Sequence, residues 1–253
     1  MTVLLALLVS LAVWWLATGL VLRSVMTTQA GERRVLLWAT AGLFIGLYGA
    51  AVTPQMPTVW GAYLGFGSAL LVWAWQEVAF LLGVVTGPNR GPCPNATGAR
   101  RFWLAFQTIA HHELALVVLA IAVVMPAIDS PNPTAAGTYL VLWLMRVSAK
   151  LNIYLGVKNF YESFLPERLH YLLTYFSRRS FNPLFPLSVA VASGVAAWIW
   201  WVALDQHAPL HVAVGASLVG TMLVLAIVEH GLLMIPADPS ALWRWALRAE
   251  KQT

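Results

Sequence analysis

The sequence predicts an all-α, polytopic membrane protein with seven transmembrane helices and one cytoplasmic interfacial amphipathic segment, and three observations predict it. Of 253 residues, 60% are hydrophobic and only 10% charged, with 13 tryptophans. A soluble domain of this length cannot hide that much apolar surface from water. The apolar residues also fall into blocks long enough to cross roughly 30 Å of hydrocarbon as helices. Finally, the basic residues collect on one side of a seven-helix layout, as topology determinants do.

In chain order the blocks run at about 3–22, 35–53, 58–85, 102–125, 135–157, 185–204 and 211–235. The first ends at Arg23, has no basic residue before it and lacks a convincing small-residue cleavage site, so it is expected to stay as a helix. Pro54 and Pro57 separate the second block from the third, and the loop TGPNRGPCPNATGARR separates the third from the fourth. PAIDSPNP follows Met125, and DQHAP precedes Leu210; all four separators carry turn chemistry. The blocks fill the chain and show no internal repeat, so residues 1–253 read as a single membrane domain.

Arg23, Arg33, Arg34, Arg90, Arg100, Arg101, Lys158, Arg168, Arg178, Arg179, Arg244, Arg248 and Lys251 share one side of this layout. The positive-inside rule then places the amino terminus outside and the carboxyl terminus in the cytoplasm. The net charge of +5 is spent on these loops, and nucleic acid is not an expected partner. Cys93 stands alone, which excludes an internal disulfide and a cysteine metal cluster. The sequon Asn95-Ala96-Thr97 lies in a loop expected to be cytoplasmic, where it could not be used. No GxSxG elbow, phosphate loop, dinucleotide fingerprint or paired-cysteine motif is present.

Between the fifth and sixth blocks, residues 160–179 place Phe164, Leu165, Leu169, Leu172, Leu173 and Phe176 near helical spacing, with Arg168, His170, Arg178 and Arg179 among them. The pattern suits an amphipathic helix in the headgroup layer, or equally a helix packed on the cytoplasmic ends of the bundle.

Ionisable residues inside the apolar blocks form the candidate site. Glu77 lies in the third block, His111, His112 and Glu113 in the fourth, Arg146 and Lys150 in the fifth, Glu229 and His230 in the seventh. Counted from the expected helix ends, all lie about 9 to 17 Å deep, in one layer of the cytoplasmic half. Each is costly against lipid, so they are expected to turn toward one another. Consecutive positions on a helix differ by about 100°, so at most two of His111, His112 and Glu113 can meet one partner.

Three chemistries fit such a layer. Three glutamates set against Arg146, Lys150 and histidines make a charge-compensated network that fixes helix positions. Glu77, His112, Glu113, Glu229 and His230 could ligate a metal ion, although HHE lacks the Glu-x-x-His spacing of carboxylate-bridged di-iron bundles. A neutral imidazole could also ligate the central metal of a tetrapyrrole, a pigment or a haem, with Trp73 and Trp75 near Glu77 as pocket walls. Trp14, Trp15, Trp60, Trp103, Trp198, Trp200 and Trp201 read as interfacial anchors, and His207 and His211 as residues of the opposite side.

The block RVSAKLNIYLGVKNFYESFLPERLHYLLTYFSRRSFNPLFP, from Arg146 to Pro186, resembles the PuhE-type photosynthetic complex assembly proteins of purple phototrophic bacteria. The buried HHE and the EH of the seventh block fit as well. The resemblance implies a membrane protein that supports photosynthetic reaction-centre assembly and influences bacteriochlorophyll supply. Its implied partners are reaction-centre or antenna subunits, other assembly factors and membrane lipid. It assigns no catalytic role to any residue, and a membrane enzyme acting at the buried His/Glu layer stands as the alternative.

Overall fold

The computed structural model describes residues 1–26, 29–160, 162–235 and 239–247. Arg248 and Lys251, counted above in the charge asymmetry, and Tyr161 of the 160–179 segment lie outside them. The described residues are all-helical, with one isolated bridge pairing Val157 and Arg178. The helices are α1 (Thr2–Val25), α2 (Gln29–Val52), α3 (Val59–Leu81), α4 (Gly98–Gln107), α5 (Ala110–Val124), α6 (Thr134–Leu155), α7 (Leu184–Leu204), α8 (Leu210–Leu232) and the short α9 (Arg244–Leu247).

Among the described residues six helices are long and apolar enough to cross a membrane: Thr2–Val25, Gly31–Gln55, Val59–Leu81, Ala110–Ala127, Leu184–Leu204 and Leu210–Leu232. The chain is a multi-pass membrane protein. With 22 residues α6 matches them in length, but Arg146, Lys150 and Asn152 dilute its hydropathy. It nevertheless sits at the centre, where α3, α6 and α8 pack against one another. Phe66, Val141, Leu218 and Met222 fill their junction. Helix α2 lies on α3, where Gly46 and Gly49 let its backbone close onto Ser68, as small residues do between membrane helices. Helices α1 and α7 flank α8, and α5 packs on α6, α3 and α2.

Two expectations need correction. The third and fourth blocks, expected as helices over 58–85 and 102–125, are shorter and broken. Gly83 adopts φ 72° and ends α3 at Leu81, with Val84 N–H donating back to Ala79 O at 2.9 Å, a left-handed helix cap. The fourth block splits into α4 and α5 at Thr108–Ile109, because the peptide that a continuous helix would use is taken elsewhere. His112 N–H donates to Thr86 O at 2.8 Å in place of Thr108 O. The Thr108 hydroxyl donates back to Ala105 O at 2.6 Å, tightening the last turn of α4.

The second correction concerns residues 160–179. They form 3-10 turns, Glu162–Phe164 and Glu167–Tyr175, where a continuous α-helix was one expectation. Leu169, Leu172 and Tyr175 are buried at intervals of three, the period of a 3-10 helix, so this segment packs onto the bundle end. The amphipathic α-helix at that end is α4, with no buried residue and with Phe102 and Trp103 exposed beside Arg100.

Candidate functional site

Arg146 and Lys150 stand one turn apart on α6 and clamp two helices at once. The Arg146 guanidinium meets Glu77 of α3 as a fork: Nε donates to Oε1 at 3.0 Å, and Nη2 donates to Oε2. Lys150 Nζ donates to Glu113 Oε1 of α5 at 2.6 Å, and lies 5.8 Å from the centre of the Phe80 ring. Parallel N–H···O⁻ bonds give the arginine pair an orientation that a point charge lacks. Glu113 also occupies the first turn of α5, where the helix dipole favours an anion.

Helix α8 contributes the next two residues. Glu229 Oε1 accepts from Trp14 Nε1 of α1 at 2.8 Å. His230 is buried, with Nδ1 2.9 Å from Ala226 O and Nε2 3.0 Å from Ser148 Oγ of α6. A carbonyl can only accept, so in the neutral ring Nδ1 carries the proton and Nε2 accepts from the serine. Asn152, one turn beyond Ser148, donates to Ser148 O at 2.9 Å and reaches Ser188 Oγ of α7 at 3.3 Å. Ser148, Asn152 and Ser188 carry no charge and were invisible to a search for ionisable residues. Ser-x-x-x-Asn within an apolar helix was the signal available.

The layer is shallower than counted from the sequence. Glu77 and Glu229 lie within about one turn of the ends of α3 and α8, and His112 and Glu113 in the first turn of α5. The difference comes from the earlier ends of α3 and α8 and from the broken fourth block; Arg146, about two and a half turns from the end of α6, keeps the expected depth. The loop 82–97 folds over the layer, and Gly87 is required there because a Cβ would strike Gln107 O and the Thr108 backbone. His112 is 1% exposed and faces Phe80 with ring centres 4.5 Å apart, whereas His111 is exposed. His112 Nδ1, Thr86 Oγ1 and both polar atoms of the Gln76 side chain are buried without a hydrogen-bond partner.

Glu77, His112, Glu113, Glu229 and His230 do not assemble as metal ligands: among the described residues no three His, Cys, Asp or Glu side chains gather to hold an ion. Two carboxylates are turned onto cations, Glu229 onto an indole, and His230 onto a serine. Trp73 and Trp75 are packing residues, the first edge-on to Tyr139 at 5.8 Å and the second donating to Thr40 Oγ1 at 3.1 Å.

The basic residues of the 160–179 segment are engaged with the protein. Arg168 pairs with Glu32 of α2 at 2.7 Å, and Arg178 pairs with Glu162 at 2.6 Å while lying over Phe160. His170 Nε2 is 3.0 Å from Leu165 O, and the Arg179 side chain lies against Gly156. The segment is tied to loop 82–97 and α4 by a knot: Asn89 Nδ2 donates to Tyr175 Oη at 3.0 Å, Tyr175 Oη to Gly91 O at 3.2 Å, and Arg101 Nη2 to Tyr175 O at 2.6 Å. A surface hollow of about 480 Å³ lies beside it, between Pro88, Asn89, Pro92, Pro94, Leu104 and Gln107.

One family model, described as a protein of unknown function (DUF3623), matches residues 1–253. The chain belongs to the DUF3623 family. A relative in this comparison is an uncharacterized 30.4 kDa protein in the puhA 5' region of Rhodobacter capsulatus. It is 33% identical over 245 residues, which cover 95% of this chain and 89% of the relative. No solved structure matches.

Proposed function

We propose that this protein is a membrane assembly factor that supports photosynthetic reaction-centre assembly and bacteriochlorophyll supply, and that α6 completes seven spans with the amino terminus outside and the carboxyl terminus cytoplasmic. One observation carries the reading: a relative matched along nearly the whole chain is placed in the puhA 5' region, a position that fits a photosynthesis gene cluster. The resemblance of the Arg146–Pro186 block to PuhE-type proteins points the same way. The geometry supports a scaffold, because the layer's charged residues bond from helix to helix: α6 to α3 and α6 to α5 as ion pairs, and Glu229 of α8 to an indole of α1. Partner subunits would meet the end that carries α4 and the 3-10 turns, where Phe102 and Trp103 are exposed.

A second reading, a membrane enzyme or tetrapyrrole-binding protein, is favoured by His112, which is buried with Nδ1 unpartnered. One experiment separates the two. The chain with His112→Gln is expressed in place of the natural gene in a phototrophic host, and membrane protein level is measured beside reaction-centre absorbance. A cysteine at Gln206, in a background without Cys93, reports orientation in the same cells by labelling from outside. The scaffold reading expects reaction-centre level to follow protein level and Gln206 to be labelled. Loss of reaction centres at full protein level would favour the binding site, and unchanged reaction centres after deletion of the gene would end the assembly reading.

A further inference from the structure

Helices α1, α2 and α3 leave an apolar groove of about 300 Å³ between them, lined by Leu20 and Ser24 of α1, Val35, Trp38 and Ala39 of α2, and Val78 of α3. Val78 is buried against Val25 and Leu82, so the floor is closed, whereas Leu20 and Trp38 at the two lips are exposed. The groove opens toward lipid. The Ser24 hydroxyl is spent on Val21 O at 2.8 Å, and apart from the Trp38 indole the other walls are aliphatic or alanine. Such a seat suits hydrocarbon.

Positive charge stands one turn from each lip. Arg23 follows Leu20 by three residues on α1 and Arg34 precedes Trp38 by four on α2, and since the two helices are antiparallel both arginines lie on the side of the same bundle end. Both are exposed, and both lie within about 8 Å of the helix ends at Val25 and Gln29, the depth of the headgroup layer. Among the described residues Arg23, Arg33 and Arg34 have no acidic partner, because Glu32 in the first turn of α2 is paired with Arg168 at 2.7 Å. An apolar seat with unpaired guanidinium groups at one end matches an amphiphile with an anionic head, and the planar fork of arginine matches a phosphodiester. We propose that this groove binds one anionic phospholipid, a phosphatidylglycerol, with an acyl chain along Leu20, Val35 and Ala39 and its phosphodiester between Arg23 and Arg34. A headgroup that added an ammonium would bring a cation among arginines, with the one nearby carboxylate already taken. Arg33 is the comparison within the molecule: it stands about 160° round α2 from the Val35 wall. The inference is independent of the assembly reading and stands or falls separately.

The test is native mass spectrometry of the detergent-purified full chain, titrated with dioleoyl phosphatidylglycerol, phosphatidylethanolamine and phosphatidylcholine. The natural chain is expected to retain one phosphatidylglycerol at least about tenfold more tightly than the other two, and Arg23→Gln and Arg34→Gln are each expected to weaken it about fivefold, as one basic side chain at a lipid surface provides. Arg33→Gln removes the same charge away from the groove and is expected to change retention less than twofold. Ser24→Phe fills the groove with every arginine in place and is expected to abolish retention. Equal retention of the three lipids, an Arg33→Gln effect equal to that of Arg34→Gln, or full retention by Ser24→Phe overturns the proposal. Displacement by oleate or by chain-free glycerophosphoglycerol at matched concentration would overturn the phospholipid as occupant, and a lipid-free dimer lost in Ser24→Phe would give the groove to a second copy. Should Ser24→Phe fail to fold, dihexanoyl phosphatidylglycerol on the natural chain replaces it, and retention equal to the dioleoyl lipid overturns the acyl seat.

Discussion

The two ends of the bundle are built on different principles. At one end the helices are joined by short turns and sewn by neutral hydrogen bonds around a single asparagine: Asn132 Nδ2 donates to Thr53 O at 2.9 Å and to Met56 O at 3.2 Å, and Asn132 Oδ1 accepts from Thr134 Oγ1 at 2.7 Å. At the other end long connections fold back over the helices, and the fastening is ionic, through Arg146, Lys150 and Arg168. Both ends cover backbone that lipid could not satisfy. Neutral bonds suffice for that purpose, so the charges at the second end are an added expense, and charge placed in an apolar helix calls for a use beyond closure. The contrast makes the ionic end the place to test for the proposed function.

The largest expected effect breaks the ionic end. Glu77→Leu leaves the Arg146 guanidinium without its fork, and removal of one partner from a buried pair costs about 3 kcal/mol, the lower end of the usual range because the arginine side chain is 44% exposed. Thermal unfolding in mild detergent should show the loss, and the double variant Glu77→Leu with Arg146→Met should recover part of it. Strict additivity of the two single effects would mean that the fork is not what joins α3 to α6.

What could be read in advance follows the same division. Hydropathy exposed α1, α2 and α7, because a lipid-facing helix must be apolar along its length whatever its neighbours do, and α8, whose packed core is equally apolar. The members of the layer were also legible, since Glu77, Arg146 and Lys150 have no reason to sit in apolar runs unless they meet. Their pairing was not. The break at Thr108 depends on Thr86 O taking the His112 N–H, a tertiary contact across more than twenty residues that leaves an uninterrupted apolar pattern over 102–125. The 3-10 turns at Glu167–Tyr175 were missed for a related reason: leucines at intervals of three and four fit both helical periods, and only the packing of Leu169, Leu172 and Tyr175 on the bundle selects the tighter one. Asn132 was legible only as a turn residue, although it ties the α2–α3 connection to the α5–α6 connection.

A middle-sized effect belongs to that asparagine. Asn132→Ala removes the donor to two carbonyls and the acceptor for Thr134 at a position 2% exposed, which costs about 2 kcal/mol. The neutral end is expected to act on folding alone. Reaction-centre level in a phototrophic host should therefore fall only as far as protein level falls. A larger fall in reaction centres would place function at both ends and remove the contrast.

The smallest effect sharpens the comparison within the ionic end itself, where charged and neutral fastenings lie side by side on α6. Ser148 joins α6 to α8 through His230 Nε2 at 3.0 Å, and it sits midway between the turns that carry the Arg146 and Asn152 contacts. Ser148→Ala deletes one neutral hydrogen bond and leaves a ring nitrogen of a buried histidine without a partner, for a cost of about 1 kcal/mol. Asn152 is not stranded by the change, because its main acceptor is the Ser148 carbonyl, which alanine keeps. Thermal unfolding should thus rank Glu77→Leu well below Asn132→Ala, and Asn132→Ala below Ser148→Ala, in remaining stability. If Ser148→Ala instead matched Glu77→Leu, the α6/α8 seam through His230 would be the principal fastening of this end, and the ion pairs would be free to exchange partners when a ligand or subunit arrives.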